Sequence, residues 1–304
     1  MAITTTAQVF HHPLQWVAEA TEGTTPTASP TFVVCPPVKS LSIKKDGGYV
    51  DVAQVGAEDL AALVQGQQSY ESQVVFYPSA TSTDEAFFQW CISAANYASP
   101  TGLINESRSI LFSFYLNGAT TNFVLMKGTR AKNVSIKMAV GQPHEITIDF
   151  IHTNIITPIT TANAGLTTPT LVTAENAGAI HSWLSGGASP VALIGVTLDC
   201  VEFNCTINRN TTADYVLGAA NPHSTQPHGR RISGDAKYLY TVVTNETNFT
   251  TPTAGTITAV LSTGVSTLTI SNASITTISR DAGADDTEAI VESAGFKALS
   301  CTYA

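Results

Sequence analysis

Apolar and polar residues alternate with a period of two along much of the chain, and one arrangement of strands occurs twice. Residues 40–45 and 201–208 alternate in this way, and each segment is followed by a polar excursion and a second alternating segment, at 68–77 and 231–240. Such alternation is typical of half-buried β-strands, and the excursions are far longer than a tight hairpin needs. The chain is therefore predicted to contain two tandem copies of one β-rich fold.

Matching residues give the spacing of the two copies. Gly66 and Gly229 precede the second strand of each copy, Tyr77 and Tyr240 end it, and each pair is 163 residues apart. The two excursions, at 45–66 and 208–229, then occupy equivalent positions.

The first copy continues with the strongest helix pattern in the chain. Ser82 can cap a helix, two acidic residues lie in the first turn, and Phe87 and Trp90 recur at helical spacing. This pattern predicts a helix over 82–96. The second copy has no clear amphipathic pattern at 246–255, the equivalent place.

Both copies then contain a hairpin followed by two further strands. Asn117-Gly118 is a strong hairpin dipeptide, and Thr263-Gly264 is its counterpart. The strands are predicted at 109–116, 121–126, 132–139 and 145–151 in the first copy and at 256–261, 266–270, 274–279 and 287–299 in the second.

The predicted organisation is mostly β with four parts. These are an N-terminal arm at 1–30, a first fold at 31–156, an inter-domain region at 157–190 and a second fold at 191–304. Prolines and small residues oppose regular structure in the arm. Thr, Ala, Gly, Asn and Pro dominate the inter-domain region.

Composition and charge exclude several classes of protein. Only 12% of the 304 residues are charged and the net charge is −9, so no basic block could hold nucleic acid by its phosphates. The low charge also suggests that neighbouring molecules cover much of the outer surface. Neither a signal peptide nor a membrane-spanning run is recognisable, so we expect synthesis in the cytoplasm and no membrane insertion.

The sequence contains no recognisable catalytic or metal site. The five cysteines are odd in number and lack a C-x-x-C pair, which favours free core thiols. His11-His12, His223 and His228 lack ligand spacing, so solvated loop histidines are the simpler interpretation. The adjacent acids Asp285-Asp286 lie in a loop, where charges normally meet water. The chain is therefore predicted to be no enzyme and to need no cofactor.

Charged residues of opposite sign gather in two loops of the second copy. Arginines lie beside the second excursion and aspartates between the last two strands. Solvated loop charges are one interpretation; opposite patches that stack subunits head to tail are the other.

With these features, the chain resembles the tail tube proteins of tailed bacterial and archaeal viruses. The resemblance is carried by the arm segment EGTTP at 22–26, by TINRN followed by HGRRISGDAKYLY, by the helix at 82–96, and by VSIKMAVGQPHEITIDF and the GFKA strand that end the two copies. The order of these features, repeated twice, covers nearly the whole chain.

The resemblance implies a fold, an assembly and a set of partners. Each copy would be a β-sandwich or half-barrel with a flanking helix, and neighbouring sheets would join into a continuous β-barrel channel, which removes exposed strand edges. Rings of three chains, each with six-fold character, would stack into the tube of a non-contractile tail that ejects DNA. The partners would be further copies of the chain, tape measure, tail terminator and baseplate or tail-tip proteins, and DNA in transit.

Candidate site residues follow from these expectations. An acidic or neutral channel wall would repel DNA and keep it centred, and its predicted acidic residues are Glu71, Glu202 and Asp235. Contacts between rings are predicted at Trp16, Glu22, Lys44, Lys45, Asp46, Arg209, Arg230, Arg231, Asp281, Asp285 and Asp286.

Two alternatives from other classes stay open. A β-sandwich adhesin or surface-layer protein would suit the Thr- and Asn-rich composition, although no signal peptide accompanies it. A carbohydrate-active enzyme would need clustered acids and aromatic residues, which the sequence lacks.

Overall fold

A computed structural model describes most of the chain. The described residues are 8–9, 13–53, 60–92, 107–116, 120–159, 166, 170, 179–187, 190–240, 244–250, 254–263, 266–281 and 290–304.

The described elements are strands and two helices, which we label in chain order. Those of the first copy are β1 (Gln8–Val9), β2 (Gln15–Ala18), β3 (Val33–Val34), β4 (Val38–Asp46), β5 (Tyr49–Ala53), β6 (Leu60–Gln65), β7 (Ser69–Phe76), α1 (Ser82–Ile92), β8 (Arg108–Leu116), β9 (Thr120–Ala139), β10 (Glu145–Ile151) and β11 (Asn154–Ile159). Those of the second copy are β12 (Val191–Leu193), β13 (Val196–Leu198), β14 (Cys200–Asn208), β15 (Thr212–Asp214), β16 (Ser224–Gln226), β17 (Arg231–Leu239), α2 (Thr244–Thr250), β18 (Gly255–Ser262), β19 (Ser266–Asp281) and β20 (Val291–Tyr303).

Eight antiparallel strands form one continuous sheet through both copies, which we call the inner sheet. Its order is β4-β7-β10-β9-β14-β17-β20-β19. In each copy a smaller outer sheet covers one face of the inner sheet, built around β8 and β2 in the first copy and around β18 and β12 in the second. Each copy is thus a sandwich, as predicted.

The two copies meet at the pairing of β9 with β14, which we call the seam. Cys205 lies opposite Ile136 and Ile207 opposite Val134, and all four side chains are buried. Further backbone hydrogen bonds extend the seam at each end, for example from Arg209 N to Lys132 O at 2.9 Å. Since the ladder is unbroken, the copies share one hydrophobic core.

The strand registers correct the predicted spacing of the copies. Phe150 lies opposite Ser72 beside a bulge in the first copy, and Phe296 lies opposite Gly234 beside the matching bulge in the second. Ser72 and Gly234 are 162 residues apart, so the offset of 163 was wrong by one residue. The side-chain period of a strand is two, and an odd offset would pair buried positions with exposed ones.

The two predicted hairpins are confirmed, because β8 pairs with β9 and β18 pairs with β19, but the strands predicted at 121–126 and 132–139, and at 266–270 and 274–279, are each one long strand. β9 runs for 20 residues and β19 for 16, each passing from the outer sheet into the inner sheet. The bend in β9 is at Gly128, which has a φ of +59°, and a Cβ there would lie 2.3 Å from Thr153 Oγ1. Asn272 bends β19 at a φ of +53°, and Asn is among the residues that tolerate this region.

Helix α1 packs between the two copies. Ser79 donates hydrogen bonds to the Asp84 carboxylate in its first turn. Phe87, Phe88, Cys91 and Ile92 are fully buried, and the Phe88 ring meets Tyr303 of the second copy with centroids 5.6 Å apart. Helix α1 is described from Ser82 to Ile92, and residues 93–96 of the predicted helix lie outside the described residues.

The second copy has a short helix, α2, where the sequence predicted none. It spans seven residues and contacts β19. Glu246 in its first turn accepts a hydrogen bond from Arg280 at 2.8 Å. This partner lies 34 residues away in sequence, so a local pattern could not indicate it.

Residues 180–182, at the end of the inter-domain region, contact both copies. Isolated bridges join Ile180 to Ser79 and Ser182 to Pro143 of the first copy, while the His181 ring is hydrogen-bonded to Ser266 of the second copy at 3.2 Å. The His144 backbone N–H donates to the His181 carbonyl at 2.9 Å, and burial lowers the pKa of the His144 imidazole to about 4. Both copies thus form one packed body around this region.

The close packing over Gly234 gives a stability prediction. A Cβ at this position would lie 2.1 Å from the Asn204 carbonyl oxygen and 2.6 Å from the Phe296 ring. Overpacking of this kind costs roughly 1–3 kcal/mol. We expect Gly234→Ala to lower the free energy of unfolding by that amount, measured by urea denaturation. Gly229→Ala is the control, because no atom lies within 4 Å of its new Cβ; equal stability of the two variants would contradict the packing.

Candidate functional site: the polar sheet face and the contacts between copies

The side of the inner sheet that faces away from the core carries mostly polar residues, and we call it the polar face. Opposite residues form rows across it, such as Ser42, Gln73, Asp149, Asn133 and Asn208. The part around β7, β9 and β10 lines one open depression. Because every strand alternates, the polar face follows directly from the burial of the opposite face.

Charges of both signs lie on the polar face in nearly equal number. Its described carboxylates are Asp46, Glu71, Glu145, Asp149, Glu202, Asp235 and Asp281, and its described basic residues are Lys39, Lys44, Lys132, Lys137, Arg231, Lys237 and Lys297. Many of them are paired: Glu71 with Lys132 at 2.7 Å, Glu202 with Lys237 at 2.9 Å, and Glu145 with Lys39. The face is therefore close to neutral, and several lysines are already held by acids.

The three acids predicted to line a channel share the polar face. Glu202 and Asp235 are neighbours, and the Asn204 amide donates to both, at 3.2 and 3.3 Å. The hydrogen bond from Lys237 lowers the pKa of the Glu202 carboxyl and the same contact raises the pKa of Lys237. Glu71 lies in the first copy, beside Lys132.

Two arginines predicted at ring contacts join the copies within one chain. Arg230 donates to the carbonyls of Ile92 at 2.7 Å and Cys301 at 3.2 Å, and Arg209, which is 1% exposed, donates to the Trp90 carbonyl at 3.4 Å. The last turn of α1 has no basic residue of its own. The second copy therefore supplies the cations that cap the carbonyl end of the first copy's helix.

Glu22 and Trp16, also predicted at ring contacts, have partners inside the chain. Glu22 forms an ion pair with Arg130 at 3.1 Å and accepts two hydrogen bonds from Thr225 in the second excursion. Trp16 belongs to β2, within the predicted arm, and its ring centroid lies 3.7 Å from the guanidinium carbon of Arg108. Both residues thus stabilise the protomer.

The second excursion folds back over the first copy. Tyr215 Oη donates to the Gln68 carbonyl and Tyr70 Oη to Asn221 Oδ1, both at 2.7 Å. Gln68 N donates to the Ala220 carbonyl at 2.8 Å. This excursion therefore makes a lateral contact between copies.

The first excursion contains a two-stranded hairpin, β5–β6, that the sequence analysis missed. Its apolar side chains are exposed on both faces: Tyr49 by 67%, Leu63 by 63%, Val50 by 56% and Val64 by 51%. The alternation of Val50 and Val52 was the available signal. An isolated ribbon with this much exposed apolar surface is typical of an interaction site.

The remaining candidates for ring contacts lie mostly at the sheet edges. Lys44, Lys45 and Asp46 end β4, and Asp281 ends β19. Arg231 is exposed on the polar face, and Asp285 and Asp286 lie outside the described residues. The assignment of all these residues to ring contacts stays a prediction.

The described residues contain neither a metal-ligand cluster nor a membrane-spanning helix. Among the described residues no cluster of three or more His, Cys, Asp or Glu side chains could hold a metal ion. Neither described helix is long and apolar enough to cross a bilayer.

Comparisons with known proteins give one family match for the chain. A family model described as phage tail tube protein matches residues 12–298. No curated protein sequence matches the chain. Among solved structures, a chain of the SPP1 tail tube, determined by solid-state NMR and cryo-EM, is 8% identical over 53% of this chain and 82% of that chain, with a TM-score of 0.36.

The arginine cap of α1 gives a second stability prediction. Arg230→Ala leaves the Ile92 carbonyl without its charged donor, and hydrogen bonds to charged groups contribute about 1.5–3 kcal/mol. We expect a loss of that size in the free energy of unfolding of the unassembled chain. Arg231→Ala is the matched control because its side chain is exposed, and we expect a change within about 0.5 kcal/mol. Equal losses in both variants would contradict the capping role.

Proposed function

We propose that this chain, which belongs to the phage tail tube protein family, is the major tail tube subunit and that three copies close one ring. The observation that carries the proposal is the seam, where β9 and β14 join two equivalent sheets into one. A ring of three chains would then contain six folds and have pseudo-six-fold symmetry. Stacked rings would form the channel for DNA ejection in a non-contractile tail.

Edge chemistry supports ring closure. An open sheet presents unpaired N–H and C=O groups at both edges, and such edges pair with other chains unless they are blocked. Repeating the rotation that relates the two copies adds further copies until the sheet closes on itself, which abolishes the edges.

The charge pattern supports the polar face as the channel wall. DNA passing through a tube must not bind its wall, and free Lys and Arg would hold phosphates through counterion release. On the polar face Lys39, Lys132 and Lys237 are paired with carboxylates. Glu71, Glu202 and Asp235 are the channel acids of this proposal.

Contacts between rings are assigned to the first excursion. Its β5–β6 hairpin exposes apolar side chains, whereas the second excursion is hydrogen-bonded to its own chain. The same assembly would meet the tape measure protein inside the channel, and terminator and tip proteins at its ends. The subunit would be made in the host cytoplasm and reside in the virion tail.

Cryo-EM of assembled tubes tests the ring. We expect three chains per ring, six quasi-equivalent folds and the polar face towards the channel, with a potential that is neutral or negative. Six chains per ring, with the second copy projecting outward, would contradict the stoichiometry. A net positive channel with Glu71, Glu202 and Asp235 all outside it would contradict the assignment of the wall.

The hairpin is tested by a polar substitution. Leu63→Ser together with Tyr49→Ser removes apolar surface that is exposed in the protomer, so we expect folded rings but much shorter tubes in negative-stain images. The control is Leu299→Ser, which replaces a residue 76% exposed on the sheet itself. Tubes of normal length from the double variant would show that the hairpin does not make the contact between rings.

A further inference from the structure

We infer that the ring closes by antiparallel pairing of β4 of one chain with residues 274–281 of β19 in the next, in the register of the seam. This inference rests on the proposed function and adds the residues of the interface between chains. The partner is a second copy of the same chain.

Both strands have one free side within the described part of the chain. β4 pairs with β7, and residues 274–281 pair with β20. In the seam the equivalents of these strands, β14 and the end of β9, pair with each other. The seam is therefore an example, within one chain, of the strand pairing that β4 and residues 274–281 lack on their free sides.

Burial along the edges indicates the same pairing. Leu41 and Ile43 on β4 and Ile278 on β19 are only partly buried against the core. Their equivalents at the seam are Phe203, Cys205 and Val134, which are 0% exposed. The seam residues have a neighbouring strand and the edge residues do not. Pairing the two free edges would therefore bury the three apolar side chains of the edge strands.

The internal repeat fixes the register. The matched bulges make Ile43 equivalent to Cys205 and Arg280 equivalent to Ile136. Since Cys205 lies opposite Ile136 in the seam, Ile43 would lie opposite Arg280 of the next chain. The adjoining pairs are Ser42 with Asp281, Lys44 with Ser279 and Asp46 with Thr277.

Charge complementarity agrees with this register. Lys44 and Asp281 make no salt bridge within the described residues, and both lie on the polar face. The register makes them diagonal neighbours across the interface, which is within reach of a lysine side chain. Two residues predicted at ring-to-ring contacts are therefore assigned to the lateral contact between chains.

Arg280 also suits the interface. Its guanidinium donates to Glu292 at 2.7 Å and Glu246 at 2.8 Å and lies 4.6 Å from the Tyr240 ring centroid. Because the charged group is held by these partners, its methylene groups can cover Ile43 of the next chain.

Engineered disulfides test the register in assembled tubes. Lys44→Cys with Ser279→Cys places the two thiols directly opposite on one face, and opposite residues of an antiparallel pair lie within disulfide range. The control pair is Lys44→Cys with Ile278→Cys, which is shifted by one residue and faces the other side. After mild oxidation, non-reducing gels should show linked dimers and closed trimers for the first pair and background for the second. The single variants report any linkage through the five native cysteines, all buried or partly buried.

The outcomes separate this inference from the proposed function. Linkage in the control pair, or none in oxidised tubes of the first pair, overturns the register while leaving the tube intact. Where a cysteine variant does not assemble, a cryo-EM map of the parent tube decides by the distance between Ser42 and Asp281 of adjacent chains. A parent chain that forms no ring overturns both proposals, and rings joined through other strands overturn only this one.

Discussion

The backbone hydrogen bonds of the seam are the constraint on which the rest of the structure depends. β9 and β14 each have one side that would be an open edge in an isolated copy, and an unpaired edge in a buried place costs free energy. Their pairing brings the two sandwiches into one hydrophobic core. It also sets α1 against the second copy, where Arg230 and Arg209 cap the carbonyls of its last turn.

The period-two pattern predicted the strands and their buried faces well, because side-chain burial in a sheet is local in sequence. It failed where the deciding contact is distant. The bends at Gly128 and Asn272 resemble strand ends in sequence, yet β9 and β19 continue through them because each pairs with partners in two sheets. The predicted offset of 163 residues between the copies was wrong because it was taken from Gly66 and Tyr77, which lie outside β7. The register of β7 is set by its pairing with β10.

The candidate site was predicted to a similar extent. The polar face and its acids follow from alternation, so Glu71, Glu202 and Asp235 lie on one side of the sheet, and their place in a channel wall stays a prediction. The arginine cap could not be predicted, because Arg209 and Arg230 reach carbonyls 119 and 138 residues away in sequence. No local pattern distinguishes an arginine that meets water from one that meets a helix end.

The two kinds of lateral contact differ in a way that physical chemistry explains. The seam forms within one chain, where its strands are held at high effective concentration and need no protection, and its polar pair Thr206–Ser135 is neutral. The contact between chains can form only when two chains meet during assembly. Charged residues on an edge strand oppose premature pairing, and β4 ends in Lys44, Lys45 and Asp46. Under the proposed register, Lys44 would meet Asp281 only when the correct neighbour arrives, so the same charges would protect the free chain and select its partner.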